Sequence, residues 1–325
     1  MAMDSSNAEI VFECGFFRLY SDGKVERTGG MNTVPASFDA ATGVTSKDVV
    51  IDAATGVAAR LYLPSIQTET PIPSESDDDS AATKLPVLVI VHGGYFVVGS
   101  PGNRNFHGYV NSLVASARVI AVSVDYRLAP EHPLPAAYDD AWAALTWAAS
   151  GADPWLADHG DLGRVFVAGA SAGANVAHNT AVAAGASAAT RIEGVILLHP
   201  SFCGEQRFED EAEEFWQANK RRWSVIFPGA TDGSDDPRIN PMAAAGESGL
   251  AKLAGKRMFV STASEDPRAP RGRAYCEAVR ASGWPGKVEW FETEGKGHCF
   301  FVSDHFSREA VAVMDRVVAF VAGHS

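Results

Sequence analysis

The strongest constraint in this chain is a series of short apolar runs that lack polar alternation, at residues 87–91, 119–124, 165–168, 195–198 and 258–261. A strand with one wet face alternates apolar and polar side chains, so runs without alternation belong to strands covered on both faces. The intervening stretches carry helical spacing instead. Residues 136–149 hold Trp142, Leu145 and Trp147, and a last helix over 306–322 sets Phe306, Ala310, Met314, Val317 and Val321 on one face, with Gly323 as its stop. Strand, helix and strand repeated in this way dictate right-handed crossovers and a mostly parallel central sheet flanked by helices, the α/β class. Residues 49–51 and 60–63 fit an antiparallel start to the same sheet, and no internal repeat is evident.

Large single-sheet enzymes exceed the usual domain size, and residues 1–325 are read as a single domain. The net charge of −13 argues against nucleic acid or an anionic membrane as the main partner. It favours a neutral small molecule, or an anionic one where a local basic group receives it. No apolar run is long enough to span a bilayer. Met1-Ala2-Met3-Asp4-Ser5-Ser6 has neither a basic nor an apolar leader region, so the expectation is a cytoplasmic protein. The four cysteines, Cys14, Cys203, Cys276 and Cys299, lie far apart and read as reduced thiols.

Two segments break the rhythm. Residues 65–84 are rich in Ser, Thr, Pro and acid around Asp77-Asp78-Asp79, and read as a disordered insertion between two strands. Residues 202–236 combine an acidic helix at 205–214 with Phe215, Trp216, Trp223 and Phe227. That segment and the N-terminus, about residues 1–30, are the expected cap over the site.

Gly169-Ala170-Ser171-Ala172-Gly173 follows the apolar run at 165–168 and opens an Ala-rich helical stretch, 174–184, with Gly185 just beyond it. In a strand–turn–helix setting, G-x-S-x-G is the pattern of a nucleophilic serine on a sharp turn, where only small neighbours fit. His92-Gly93-Gly94 comes straight after the run at 87–91. The amides of Gly93 and Gly94 at such a turn, joined by the amide of Ala172, are candidate donors to a tetrahedral oxyanion. His92 itself reads as a loop organiser.

A serine needs a base, and nine histidines are available. His298 follows the strand-like 288–293 in Glu294-Gly295-Lys296-Gly297-His298, where an α/β enzyme keeps its reactive groups. His199 and His305 are its rivals. Asp266, one short turn past the run at 258–261, is the candidate orienting carboxylate, with Glu265 the alternative if the register slips. Ser171, Asp266, His298 is the chain order of an α/β-hydrolase fold. The expectation is a carboxylic-ester hydrolase that needs no cofactor and no metal.

These residues resemble the plant carboxylesterase group of the hormone-sensitive-lipase-like α/β-hydrolases. The likeness runs from Phe16-Phe17-Arg18-Leu19-Tyr20-Ser21-Asp22-Gly23 through His92-Gly93-Gly94 to Asp125-Tyr126-Arg127-Leu128-Ala129-Pro130-Glu131-His132-Pro133, a stretch specific to the group. It continues through the serine turn, Asp236-Pro237-Arg238-Ile239-Asn240-Pro241, Arg271-Gly272-Arg273-Ala274-Tyr275 and Gly297-His298. The resemblance implies a hydrolase fold with a helical cap and hydrolysis of small carboxylic esters. Branches of similar appearance include a 2-hydroxyisoflavanone dehydratase and a gibberellin receptor, which binds rather than hydrolyses and lacks the histidine found here at position 298. One residue departs from the group. The usual His-Gly-Gly-Gly reads here with Tyr95 in fourth place. Tyr95 is expected at negative φ, with its ring entering and narrowing the substrate pocket.

The composition of the 65–84 insertion generates a first prediction. Replacing it with a short Gly-Ser connection should leave melting temperature and ester turnover nearly unchanged, because loop length costs only about 0.6 kcal/mol per doubling.

Overall fold

The strand at Leu85–Val91 shows why the sheet forms. Val87, Val89 and Val91 join an apolar cluster on one face, while Leu88 and Ile90 join another on the opposite face. None of the five is solvent-accessible. The period of two therefore divides an all-apolar run between two cores. The computed structural model describes residues 8–29, 32–66, 84–187, 190–243 and 249–323.

Strands β1 (Ile10–Cys14), β2 (Phe17–Tyr20) and β3 (Val25–Arg27) form a small antiparallel sheet of their own. The main sheet begins with β4 (Phe38–Asp39), β5 (Val44–Asp52) and β6 (Val57–Pro64), which pair antiparallel in sequence. It continues with β7 (Leu85–Val91), β8 (Ile120–Asp125), β9 (Gly160–Ala170), β10 (Gly194–Leu198), β11 (Arg257–Ala263) and β12 (Lys287–Thr293). The spatial order is β12-β11-β10-β9-β7-β8-β6-β5-β4, parallel from β12 to β8.

Helices α1 (Arg104–Ala117), α2 (Ala136–Ala149), α3 (Pro154–His159), α4 (Ala172–Ala186), α5 (Glu213–Ile226), α6 (Ala269–Ala281), α7 (Phe300–Ser303) and α8 (Arg308–Ala322) complete the chain. Buried residues of α2, α4 and α6 lie in one core, and those of α1 and α8 in the other. The strand order reverses at β7. The chain leaves β7 for α1 on one face and leaves β9 for α4 on the other. Their loops diverge and leave a crevice at the carboxyl ends of the two strands, where α/β proteins place ligands.

Several expectations need correction. Helix α8 starts at Arg308, capped by the Ser307 hydroxyl accepting the Ala310 amide, so Phe306 lies outside it and is 78% exposed. Gly185 lies inside α4, not past its end, and it is glycine because a β-carbon there would stand 1.7 Å from the Lys252 carbonyl oxygen. The acidic stretch 205–214 is not helical over residues 205–212. Glu205 accepts the Ser234 amide and pairs with Lys220, while Glu211 accepts from Arg271 at 2.6 Å. These tertiary partners hold the stretch in loop conformation, and helix starts only at Glu213, where Glu213 and Glu214 favour a helix N-terminus. Of the expected cap, α5 is helical, whereas the described N-terminal residues are strands β1–β3. The 65–84 insertion falls mainly on residues 67–83, outside the described residues.

The segments expected to form a cap are tied to the body by charge. Arg27 on β3 donates to Val97 O at 2.6 Å and pairs with Glu131 at 2.7 Å. Arg271 on α6 and Glu211 before α5 form an ion pair with both side chains 2% exposed. Breaking one partner of such a pair strands the other in low dielectric. Arg271→Met should therefore cost about 3–5 kcal/mol of unfolding free energy, read from denaturant melts.

Candidate active site

Ser171 stands between β9 and α4 at φ 57°, ψ −118°. Its amide donates to Leu198 O at 2.9 Å, and its carbonyl accepts from Ser201 and Ala174. The turn is thus held by the neighbouring strand and by its own helix. It lifts the hydroxyl out of the sheet to meet His298 Nε2 at 2.7 Å. On the other side of the ring, His298 Nδ1 lies 2.6 Å from Asp266 Oδ2. The three residues named from separate regions of the sequence form one hydrogen-bonded run.

Backbone stitching sets that geometry. The loops after β11 and β12 are laced by Ser264 N to Thr293 O, Glu265 N to Lys296 O, both 3.0 Å, and Gly295 N to Ser264 Oγ at 2.8 Å. The lacing turns Asp266 inward and leaves Glu265 exposed, which removes Glu265 as the alternative acid. Of the rival bases, His305 packs near Gly108 of α1, away from the serine. His199 sits behind the run, its Nδ1 3.0 Å from the Cys299 amide and 3.4 Å from Asp266 Oδ2. That atom can accept from the amide or donate to the carboxylate, and the shorter contact is the amide's.

The charges around the run set its protonation. Burial alone would raise the Asp266 pKa, but contacts with His199 and His298, followed by the charges of His298 and Arg268, hold it well below the usual range. His298 is lowered to about 4, chiefly by burial and next by the positive charge of Arg268, against the opposing pull of Asp266. Its imidazole is therefore neutral at pH 7, the form able to take a proton.

His92 Nδ1 lies 2.7 Å from Gly93 O, and its ring stacks on Tyr126 at 4.3 Å. These contacts, with a pKa lowered to about 4 by burial, fit a loop organiser. Gly94 has φ 113°, and a β-carbon there would stand 2.0 Å from Val98 O, so the turn requires glycine. Among the described residues, the amides of Gly93 and Gly94 donate to no protein acceptor. The amide of Ala172 belongs to the first turn of α4, whose leading N–H groups lack helical partners. All three stand beside the serine.

Tyr95 contradicts the expected negative φ. Its φ is 55°, and that of Phe96 is 66°. The Gly94 carbonyl accepts from both Val97 and Val98 at 3.0 Å, and this tight turn imposes the left-handed backbone. The conformation costs a tyrosine about 1–2 kcal/mol, offset by contacts of its ring. Phe16 packs tilted against it with ring centroids 4.7 Å apart, and the guanidinium groups of Arg222 and Arg268 lie 4.0 and 4.9 Å from its centroid. Arg222, Arg268 and Phe16 were not singled out as site residues from sequence. Only the proximity of Arg268 to Asp266 was visible there.

A cavity of about 220 Å³ opens beside Ser171 and His298. Its walls include Phe16, Tyr95, Val98, Phe106, Cys299 and Val302, so it suits an apolar group. One set of potential metal ligands exists among the described residues, His199, His298 and Cys299. His298 Nε2 already faces Ser171, and burial and the Asp266 charge raise the Cys299 thiol pKa far above its usual value. These donors fit a proton-transfer site better than an ion site. All four cysteines are free.

Residues 88–302 match the alpha/beta hydrolase fold family. The chain belongs to that family and is a carboxylic-ester hydrolase. It is 43% identical to a tuliposide A-converting enzyme of Tulipa gesneriana, over 95% of this chain and 78% of the relative. It is 40% identical to a 2-hydroxyisoflavanone dehydratase of Glycyrrhiza echinata, over 94% and 93% of the two chains. A probable carboxylesterase of Arabidopsis thaliana is 34% identical over 94% and 96%. Among solved structures, a hyperthermophilic esterase of Pyrobaculum calidifontis superposes with a TM-score of 0.69 at 25% identity, covering 86% and 85%.

This hydrolase is not assigned to the cytoplasm. The tulip relatives are named amyloplastic or chloroplastic, which overturns that expectation. Targeting segments are read by receptors and removed, so the first few side chains were poor grounds for a compartment. Among the described residues, no helix is long and apolar enough to cross a membrane.

The low His298 pKa generates a prediction. The reactive form is the neutral imidazole, which persists until pH falls through the folded-state pKa. The acid limb of kcat/KM should therefore lie below the ordinary 6.5, toward 4, in a pH–rate profile. A limb at or above 6.5 would contradict it.

Proposed function

We propose that this hydrolase is a serine carboxylesterase working through an acyl-enzyme on Ser171. The reading is carried by the hydrogen-bonded run from Ser171 Oγ through His298 to Asp266, at 2.7 and 2.6 Å, facing an apolar cavity. In this mechanism His298 Nε2 takes the serine proton as Oγ attacks the ester carbonyl. Asp266 fixes the imidazole tautomer and stabilises the imidazolium. The amides of Gly93, Gly94 and Ala172 receive the oxyanion, each such donor contributing about 2.7–4 kcal/mol in comparable sites. His298 returns the proton to the leaving alcohol. It then activates a water that releases the acid from Oγ. The chain's own groups supply the nucleophile, base and oxyanion donors this reaction needs.

The cavity favours esters with a compact apolar group on one side of the scissile bond. The tulip relatives bring tuliposide A into the set of substrates to assay. A second reading, dehydration of a 2-hydroxyisoflavanone, is supported by the relative at 40% identity. The same base and oxyanion donors would serve it.

Ser171→Ala should abolish turnover of p-nitrophenyl butyrate and labelling by a fluorophosphonate while leaving the melting temperature close to wild type. His298→Ala should lower kcat by about 10⁴-fold, and His305→Ala should do far less. Label retained on Ser171→Ala would place the nucleophile elsewhere. Turnover of a 2-hydroxyisoflavanone without turnover of any ester would favour the second reading.

A further inference from the structure

Two arginines share one aromatic ring at the lip of the cavity. Arg222 comes from α5 and Arg268 from the turn that carries Asp266. Their guanidinium groups lie 4.0 and 4.9 Å from the centroid of Tyr95. Arg268 also donates to the Tyr95 hydroxyl and stacks on Phe215 at 5.0 Å. Tyr95 lines the cavity that holds Ser171 and His298.

Neither cation has a carboxylate of its own. The acid nearest to Arg268 is Asp266, with Oδ1 at 3.7 Å, and Asp266 already serves His298. Arg222 contacts the Asn219 side-chain oxygen at 3.3 Å and has no ion pair among the described residues. The Nε atoms of both arginines are buried without a hydrogen-bond partner, and the Arg268 side chain is only 4% exposed. Like charges held over one ring repel, and buried guanidinium N–H groups left unmade are costly. In a chain of net charge −13, carboxylates are abundant, yet none of the described ones is placed here to answer Arg222. An anion beside the Tyr95 hydroxyl would answer both charges at once.

We propose that Arg222, Arg268 and the Tyr95 hydroxyl form an anion-receiving subsite beside Ser171, selecting esters that carry a free carboxylate a few atoms from the scissile bond. The apolar cavity takes the uncharged half of the ester, and the carboxylate lies toward the cap, between α5 and the Asp266 turn. This rests on the esterase reading and adds a substrate class to it. Tyr95, which stands where the related group has glycine, then serves specificity. It supplies both the hydroxyl and the platform that holds the two guanidinium groups.

The test compares charged and neutral esters of matched size. p-Nitrophenyl hemisuccinate against p-nitrophenyl butyrate places the carboxylate on the acyl side. 4-Acetoxybenzoate against phenyl acetate places it on the alcohol side. The wild type should prefer the charged member of at least one pair by about tenfold or more in kcat/KM, mainly through KM. The preference should weaken as salt rises. Arg222→Gln, on the partly exposed cap helix, and Tyr95→Phe should each reduce that preference severalfold. Turnover of the neutral esters with no preference in either pair would overturn the subsite and leave the esterase reading intact. An equal loss on charged and neutral esters in Arg222→Gln would also overturn it, since Arg222 would then only clamp α5 to the loop. Failure to turn over any ester would overturn both.

Discussion

Because the chain leaves β7 toward one face of the sheet and β9 toward the other, the backbone after both strands opens onto a single crevice. The glycine turn after β7 and the Ser171 turn after β9 are neighbours for that reason. Among the described residues, the amides of Gly93 and Gly94 have no acceptor, and they lie beside the first amides of α4 and the serine hydroxyl. The rest of the site is added at this point. The β11 and β12 loops, stitched to each other through three backbone amides, deliver Asp266 and His298 from the same edge of the sheet. The proton-transfer run therefore inherits its geometry from strand order and loop lacing, with little left to side-chain choice.

The electrostatics of the crevice oppose those of the chain. The chain carries a net charge of −13, yet a buried cation, Arg268, lies 3.7 Å from Asp266 and adds to the effect of the two histidines on it. Its charge helps hold Asp266 ionised and helps hold His298 neutral. Those are the two states that the roles proposed for His298 and Asp266 require at neutral pH. The same cation reaches across to Tyr95 and, through that ring, to Arg222 of the cap helix. Helix α5, the glycine turn after β7 and the Asp266 turn meet on one aromatic side chain. The backbone of that residue is held in a left-handed conformation by the turn beneath it.

Local signals were legible where a residue's job is set by its neighbours in sequence. Ser171 could be read because a sharp strand–turn–helix needs small residues around the nucleophile. Asp266 and His298 could be read because each follows an apolar run by a short loop and falls in the chain order of the fold. The runs at 87–91 and 195–198 lie within β7 and β10 because a strand covered on both faces shows its apolar character in every residue. Signals failed where distant partners decide. The acidic stretch at 205–214 has the composition of a helix, but Arg271, Lys220 and the Ser234 amide claim its carboxylates. Gly185 has the look of a helix stop, but the Lys252 carbonyl packed against it explains the glycine. Tyr95 was expected at negative φ because tyrosine prefers it. The Val97 and Val98 amides closing on Gly94 impose the opposite sign.

By itself the sequence determined the fold class, the serine turn, the glycine turn after β7 and the order of the residues proposed as reactive. Each is written in a short window through backbone sterics or hydrophobic periodicity. Only the tertiary structure decided that His199 sits behind the run and not within it. It also decided that Glu265 faces solvent while Asp266 faces inward, and that Phe16, Arg222 and Arg268 converge on Tyr95. Those residues come from four separate parts of the chain. A contact between them depends on the packing of whole elements, and no local pattern in the sequence records it.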